Sequence, residues 1–180
     1  MVFPHVLSWM IDNPLRRAIL SPEEFARRLS LRGDETMLEL GPGSGYFSVS
    51  LARALPHGRL HLLDVQAEML EKVRRKMERS RIENIEFTLL DAGAKFPFPD
   101  SHFDVAVMVS VLGEVADQAS CLASLYRVLR PAGLLAIHES IPDPDLIPFE
   151  RLTALVTKHG FVPSERFGSM YNYTALFRKS

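Results

Sequence analysis

The chain has 180 residues, 47% of them hydrophobic and 24% charged, with a net charge of −1 and a pI near 6.6. That length and balance suit one domain with a sizeable core, and give no general pull toward nucleic acid or acidic membranes. One cysteine excludes an internal disulfide and a cysteine-based metal cluster.

Residues 1–10 are apolar but carry no basic stretch and no small-residue cleavage site, so a secretory signal is not expected and a cytoplasmic location is. No apolar run reaches the roughly 18 residues a membrane helix needs. Ser21-Pro22-Glu23-Glu24 reads as a helix start, with Ser21 as cap and Glu24 closing a capping box. That helix runs to about Leu31 and stops at Gly33. Thr36 to Leu40 is the first strand, and a helix follows from about Tyr46 to Leu55. Arg59 to Asp64 is the second strand. Leu70, Val73 and Met77 then recur at helical spacing and predict a helix over Ala67 to Ser80. Its basic run, Arg74-Arg75-Lys76, reads as a solvated face.

Ile85 to Asp91 and Phe103 to Ser110 are the third and fourth strands. The fourth is apolar at nearly every position, as in a central parallel strand. Cys121, Leu122, Leu125, Val128 and Leu129 mark the apolar side of another helix, so Cys121 reads as a packed thiol. Leu134 to Glu139 is the fifth strand, Phe149 to His159 the last helix. Two short strands follow near Phe161–Arg166 and Asn172–Arg178. Strands alternating with helices indicate an α/β fold with a mostly parallel sheet. With no repeat and no long linker, residues 1–180 read as a single domain, of which 1–33 form a helical N-terminal extension.

The first strand ends in Glu39-Leu40-Gly41-Pro42-Gly43-Ser44-Gly45. Glycine lets the backbone turn sharply and come close to a ligand, and the next helix points free N–H groups at the turn. A dinucleotide loop wants its third glycine three residues after the second. That position is Tyr46, and the third glycine is Gly45. No Lys-Ser/Thr pair follows, so the loop is not a phosphate-binding P-loop.

This glycine loop, Leu62-Leu63-Asp64-Val65, Leu90-Asp91-Ala92, Phe103-Asp104-Val105-Ala106-Val107 with Ser110-Val111-Leu112, and Arg127-Val128-Leu129-Arg130-Pro131-Ala132-Gly133 occur in an order that resembles the class I S-adenosylmethionine (SAM)-dependent methyltransferase family. The likeness covers roughly residues 31–178. It implies a doubly wound, Rossmann-like, seven-stranded sheet of order 3-2-1-4-5-7-6, strand 7 antiparallel, with helices on both faces. It also implies SAM as cofactor, S-adenosylhomocysteine as product and a transferase activity. By the same resemblance, Gly41, Gly43 and Gly45 approach the methionine end and ribose, and Glu39 reaches the methionine ammonium. Asp64 accepts from the ribose hydroxyls. Val65 and Met69 flank the adenine, Asp91 and the Ala92 N–H hydrogen-bond it, and Ser110 lies beside the methionine moiety.

The acceptor is less legible. Glu114, His138 and Glu139 are candidate bases, and the residues leave the choice among them open. The Asn/Asp-Pro-Pro-aromatic signature of base-amino methylation is missing after the fourth strand, as is a Pro-Cys pair. A small-molecule acceptor is therefore expected, without nucleic acid, membrane span or metal, and with a homo-oligomer left open. Residues 1–20, with Phe3, His5, Trp9, Asp12 and Asn13, are expected to close over the acceptor as a lid. The alternatives are a non-catalytic SAM-binding module and a partner-dependent protein or RNA methyltransferase.

Overall fold

The computed structural model describes residues 21–180. The expected lid over 1–20 lies outside them. The strands form one seven-stranded sheet in the order β3-β2-β1-β4-β5-β7-β6, as the resemblance implies. The chain divides into two compact units that meet in sequence at Leu90 and Asp91.

The unit ending at Leu90 holds α1 (Pro22–Arg28), β1 (Thr36–Leu40), α2 (Ser48–Arg53), β2 (Arg59–Asp64), α3 (Ala67–Arg79) and β3 (Ile85–Leu89). β1 pairs with β2 and β2 with β3, all parallel. Ser21 caps α1 by accepting from the Glu24 N–H at 3.0 Å. The capping box is only half closed, because the Glu24 carboxylate accepts from Arg27 and Arg28 on its own helix. Burial of Phe25 against Phe47, with ring centroids 5.2 Å apart and nearly edge-on, seats α1 beside α2. On α3 the buried side is Met69, Leu70, Val73 and Met77, packed toward β2.

The unit from Asp91 holds β4 (Phe103–Val109), a 3₁₀ turn (Leu112–Glu114), α4 (Gln118–Val128), β5 (Leu129–Ser140), α5 (Phe149–Thr157), β6 (Phe161–Gly168) and β7 (Asn172–Lys179). β4 and β5 are parallel, whereas β7 runs antiparallel to both β5 and β6. β5 begins earlier than the sequence indicates. Leu129 pairs with Phe103, residues 130–133 bulge out with Ala132 at φ 59°, and regular pairing resumes between Leu134 and Val105. Arg127 staples the preceding loop by donating to the Phe96 and Phe98 carbonyls and to Asp100. The outermost strand, β6, is broken by an irregularity between Pro163 and Glu165. Cys121 is fully buried, and burial pushes its thiol up to about 12.

Candidate functional site

In the first unit the glycine loop links the end of β1 to α2. Gly41, Gly43 and Gly45 all have left-handed backbone, with φ of 63°, 55° and 72°. The three have different reasons to be glycine. Gly41 is fixed by its N–H to the Leu63 carbonyl at 2.8 Å, which ties the loop to β2. A Cβ on Gly43 would meet nothing within 4 Å, so the loop keeps an open side there. A Cβ on Gly45 would stand 3.0 Å from Val73 Cγ1 on α3, so that glycine serves helix–loop packing. Lys76, one helical turn on, donates to the Ser44 carbonyl at 3.1 Å. Lys76 thus turns toward the loop rather than joining the solvated basic face. The signal was its position three residues after the buried Val73.

Two carboxylates flank this loop. Glu39, in β1, is 3% exposed, and its Oε2 is buried without a hydrogen-bond partner. Burial pushes its pKa up to about 7. The Ser48 hydroxyl tempers that rise, the Asp64 charge adds to it, and Lys76 opposes it. Asp64 ends β2, and burial raises its pKa too, against the lowering effect of the Gln66, Gly43 and Val65 N–H groups. Its Oδ1 accepts from the Gln66 N–H at 2.9 Å. The residue capping α3 is Gln66, so Asp64 is not that helix's N-cap. Val65 is 45% exposed, whereas Met69 is buried.

In the second unit, Asp91 is exposed and its Oδ1 accepts from the Gly93 N–H at 2.7 Å, the geometry of a tight turn in which Ala92 is the middle residue. Ser110 has φ 53° and donates its N–H to the His138 carbonyl at 2.8 Å, at the end of β4. The three candidate bases separate clearly. Glu114 lies half-buried in the 3₁₀ turn. His138 is 2% exposed and its Nδ1 shares a hydrogen bond with the Thr174 hydroxyl at 3.1 Å. Glu139 is fully buried. Its Oε2 accepts from the Ile147 N–H at 3.2 Å, while Oε1 has no partner. Burial pushes Glu139 up to about 8, and Asp143 adds to the rise. Glu139 is enclosed by its pairing with Tyr173 on β7 and by the segment that carries the Ile147 N–H. Tyr173 and Ile147 were not singled out from the sequence, since their roles come from long-range pairing.

Among the described residues no cluster of His, Cys, Asp or Glu is placed to hold a metal, and no helix is long and apolar enough to cross a membrane. A family model described as a methyltransferase domain matches residues 31–160. The ubiquinone/menaquinone biosynthesis C-methyltransferase UbiE of Marinomonas sp. (strain MWYL1) is 34% identical over 120 residues, covering 65% of this chain and 47% of that protein. Its counterpart from Pseudomonas putida is 35% identical over 111 residues, covering 61% and 43%. The chain therefore spans less than half the length of these curated relatives. A SAM-dependent methyltransferase from Aquifex aeolicus superposes with a TM-score of 0.90, over 99% of this chain and 100% of that one. At 21% identity this likeness speaks for the fold. With the family model spanning most of its length and the strand order of that fold, the chain belongs to the class I SAM-dependent methyltransferase family.

Proposed function

We propose that this domain binds SAM and transfers its methyl group to a small-molecule acceptor. The observation that carries the reading is Glu39 Oε2, a buried carboxylate oxygen with no partner beside a glycine loop whose Gly43 side is open. A buried carboxylate without a partner is costly, and a ligand ammonium satisfies it. Asp64, already steadied by backbone N–H groups, keeps acceptor capacity for two ribose hydroxyls. The exposed Val65 offers an apolar surface to the adenine. The family resemblance assigns Met69 to the other flank of the adenine, and the residue is buried. Asp91 and Ala92 contribute the adenine hydrogen bonds and Ser110 the methionine contact, as the family resemblance assigns them.

When bound, SAM supplies a methyl group already activated by its sulfonium. The protein's task is then to hold an acceptor atom in line and keep water out. The named relatives are C-methyltransferases of ubiquinone and menaquinone biosynthesis, so quinol-type molecules belong in the first acceptor panel. The lone cysteine, packed as a thiol, suits a reducing cytoplasm.

Calorimetry tests the reading. S-adenosylhomocysteine should bind saturably and NADH should not, and SAM should be consumed when an acceptor panel is supplied. Binding of NADH without S-adenosylhomocysteine would overturn the assignment. Binding of the product with no turnover on any acceptor would favour a non-catalytic module.

A further inference from the structure

We propose that Lys76 is a positioning residue for the cofactor: from α3 it holds the Ser44–Gly45 peptide of the glycine loop and lends its charge to the Glu39 carboxylate, and so prepares the part of the site that receives the ligand's amino-acid end. This rests on the cofactor reading above and adds a residue outside the loop and outside the two carboxylates that flank it. All the groups involved belong to the unit that ends at Leu90.

Lys76 stands apart from its neighbours on α3. Arg74 and Arg75 reach back to the Glu71 carboxylate, and Arg74 also lies over the Phe87 ring, 4.2 Å from the centroid. Lys76 is half-buried and instead donates to the Ser44 carbonyl at 3.1 Å. Its Cδ lies 3.5 Å from where a Cβ on Gly45 would stand. The stem therefore runs along the back of the loop, against Gly45. A lysine head is strongly hydrated and its stem has many rotamers, so a fixed inward course needs a partner, and the Ser44 carbonyl is that partner.

The contact ties down one peptide plate at both ends. The Ser44–Gly45 peptide is planar. Its N–H, on Gly45, donates to the Pro42 carbonyl at 2.9 Å, and its carbonyl, on Ser44, accepts from Lys76. The first bond is internal to the loop, and the second anchors the loop to α3. The plate follows Gly43 and leads into Gly45, which have φ of 55° and 72°. Glycine's wide conformational range makes a peptide in such a place easy to rotate. With its carbonyl released, the plate can swing and carry with it the open side of the loop at Gly43.

The same ammonium acts on Glu39. The groups that bear on that carboxyl are the Ser48 hydroxyl from α2, the Asp64 charge from β2 and the Lys76 charge from α3. Lys76 favours the ionised carboxylate without bonding to it, since Glu39 Oε2 has no partner. Ser44 thus keeps the ammonium off the carboxylate while its charge stays within reach. A lysine seated directly on Glu39 would fill the place that a ligand ammonium takes. Asp64, assigned to the ribose, draws on the Gln66, Gly43 and Val65 N–H groups instead. The influence of Lys76 is therefore weighted toward the amino-acid end of the ligand.

The test titrates two ligands into the full chain by calorimetry. One is S-adenosylhomocysteine. The other is methylthioadenosine, which keeps the nucleoside and the sulfur but lacks the amino acid. Lys76→Met keeps the apolar stem and removes the ammonium. At about pH 7 it should bind S-adenosylhomocysteine at least about tenfold more weakly, and methylthioadenosine within about threefold of wild type. Loss of the Lys76 charge also pushes Glu39 further up from about 7. The rise of S-adenosylhomocysteine affinity with pH should therefore move to higher pH. Lys76→Arg keeps the charge and donors, and should recover most of the affinity and the wild-type pH profile.

If the Met variant does not fold, Lys76→Gln decides. It keeps an N–H donor without the charge, so its S-adenosylhomocysteine affinity should show the same move to higher pH, and an unchanged profile would overturn the proposal. Wild-type affinity in Lys76→Met would overturn it too. So would equal losses for both ligands with an unchanged pH profile, because Lys76 would then serve only the packing of α3. A wild-type chain that binds neither ligand would instead overturn the cofactor reading itself.

Discussion

Gly45 and Val73 approach so closely that a Cβ on the glycine would stand 3.0 Å from Val73 Cγ1, while the same atom on Gly43 would touch nothing. Two glycines of one loop therefore have separable purposes. Gly45→Ala combines backbone strain at φ 72° with a clash against α3, and should cost about 2–4 kcal/mol of stability. Gly43→Ala has only the strain, about 1–2 kcal/mol, but places a methyl group on the open side of the loop. Thermal melts and S-adenosylhomocysteine titrations should separate them. Gly45→Ala should melt well below Gly43→Ala, and Gly43→Ala should bind at least about tenfold more weakly than wild type. Equal melting losses with intact binding in Gly43→Ala would mean that the open side is not the ligand side.

Asp64 should carry much of the cofactor affinity. Hydrogen bonds to a charged acceptor contribute about 1.5–3 kcal/mol each. Asp64→Ala should therefore weaken S-adenosylhomocysteine binding by at least about tenfold, with Asp64→Asn in between. Wild-type affinity in the alanine variant would confine Asp64 to holding the Gln66 turn.

Glu39 makes cofactor binding a proton-linked event. Its pKa stands at about 7 in the free protein, and a ligand ammonium favours the ionised form. Binding should release a proton near neutrality, and affinity should rise roughly tenfold from about pH 6 to about pH 8. Calorimetry in buffers of different ionisation enthalpy would count the proton. Glu39→Gln should abolish both effects. The stability sign follows the same logic. Because folding raises this pKa above the ordinary 4.5, Glu39's contribution is fully present below about 4.5 and is lost as pH rises through about 7. Glu39→Gln should thus flatten part of the stability loss over that window in urea titrations.

Cys121 should resist alkylation. It is fully buried, and its thiol is pushed up to about 12 by burial and by the Asp91 and Asp117 charges. Iodoacetamide at about pH 8 should label it only at the rate of unfolding. Fast labelling of the native protein would contradict that packing.

The sheet could be read from the sequence wherever punctuation was local. β1 and β2 fall on Thr36–Leu40 and Arg59–Asp64, because glycines and charges bracket short apolar runs. The start of β5 was missed, since the pairing of Leu129 with Phe103 across a bulge leaves no local period to detect. The same divide holds in the candidate site. The glycines announced themselves by spacing, and Glu39 and Asp64 by the family resemblance. The inward turn of Lys76 and the burial of Glu139 did not, because one follows from a contact with the Ser44 carbonyl and the other from pairing with β7 and from the Ile147 N–H. Burial imposed by distant chain is invisible to a window of neighbouring residues.

The irregularity in β6 bears on how the protein behaves in a crowded solution. A strand at the rim of a sheet offers its unpaired N–H and C=O groups as a template for any passing strand. In β6 that template is spoiled twice. Pro163 has no N–H to offer, and the break before Glu165 puts the pairing out of step. Exposed Glu165 and Arg166 then place charge where an incoming chain would have to lie. This rim of the sheet is therefore built against self-association, and concentrated samples should stay free of fibrils that grow from it.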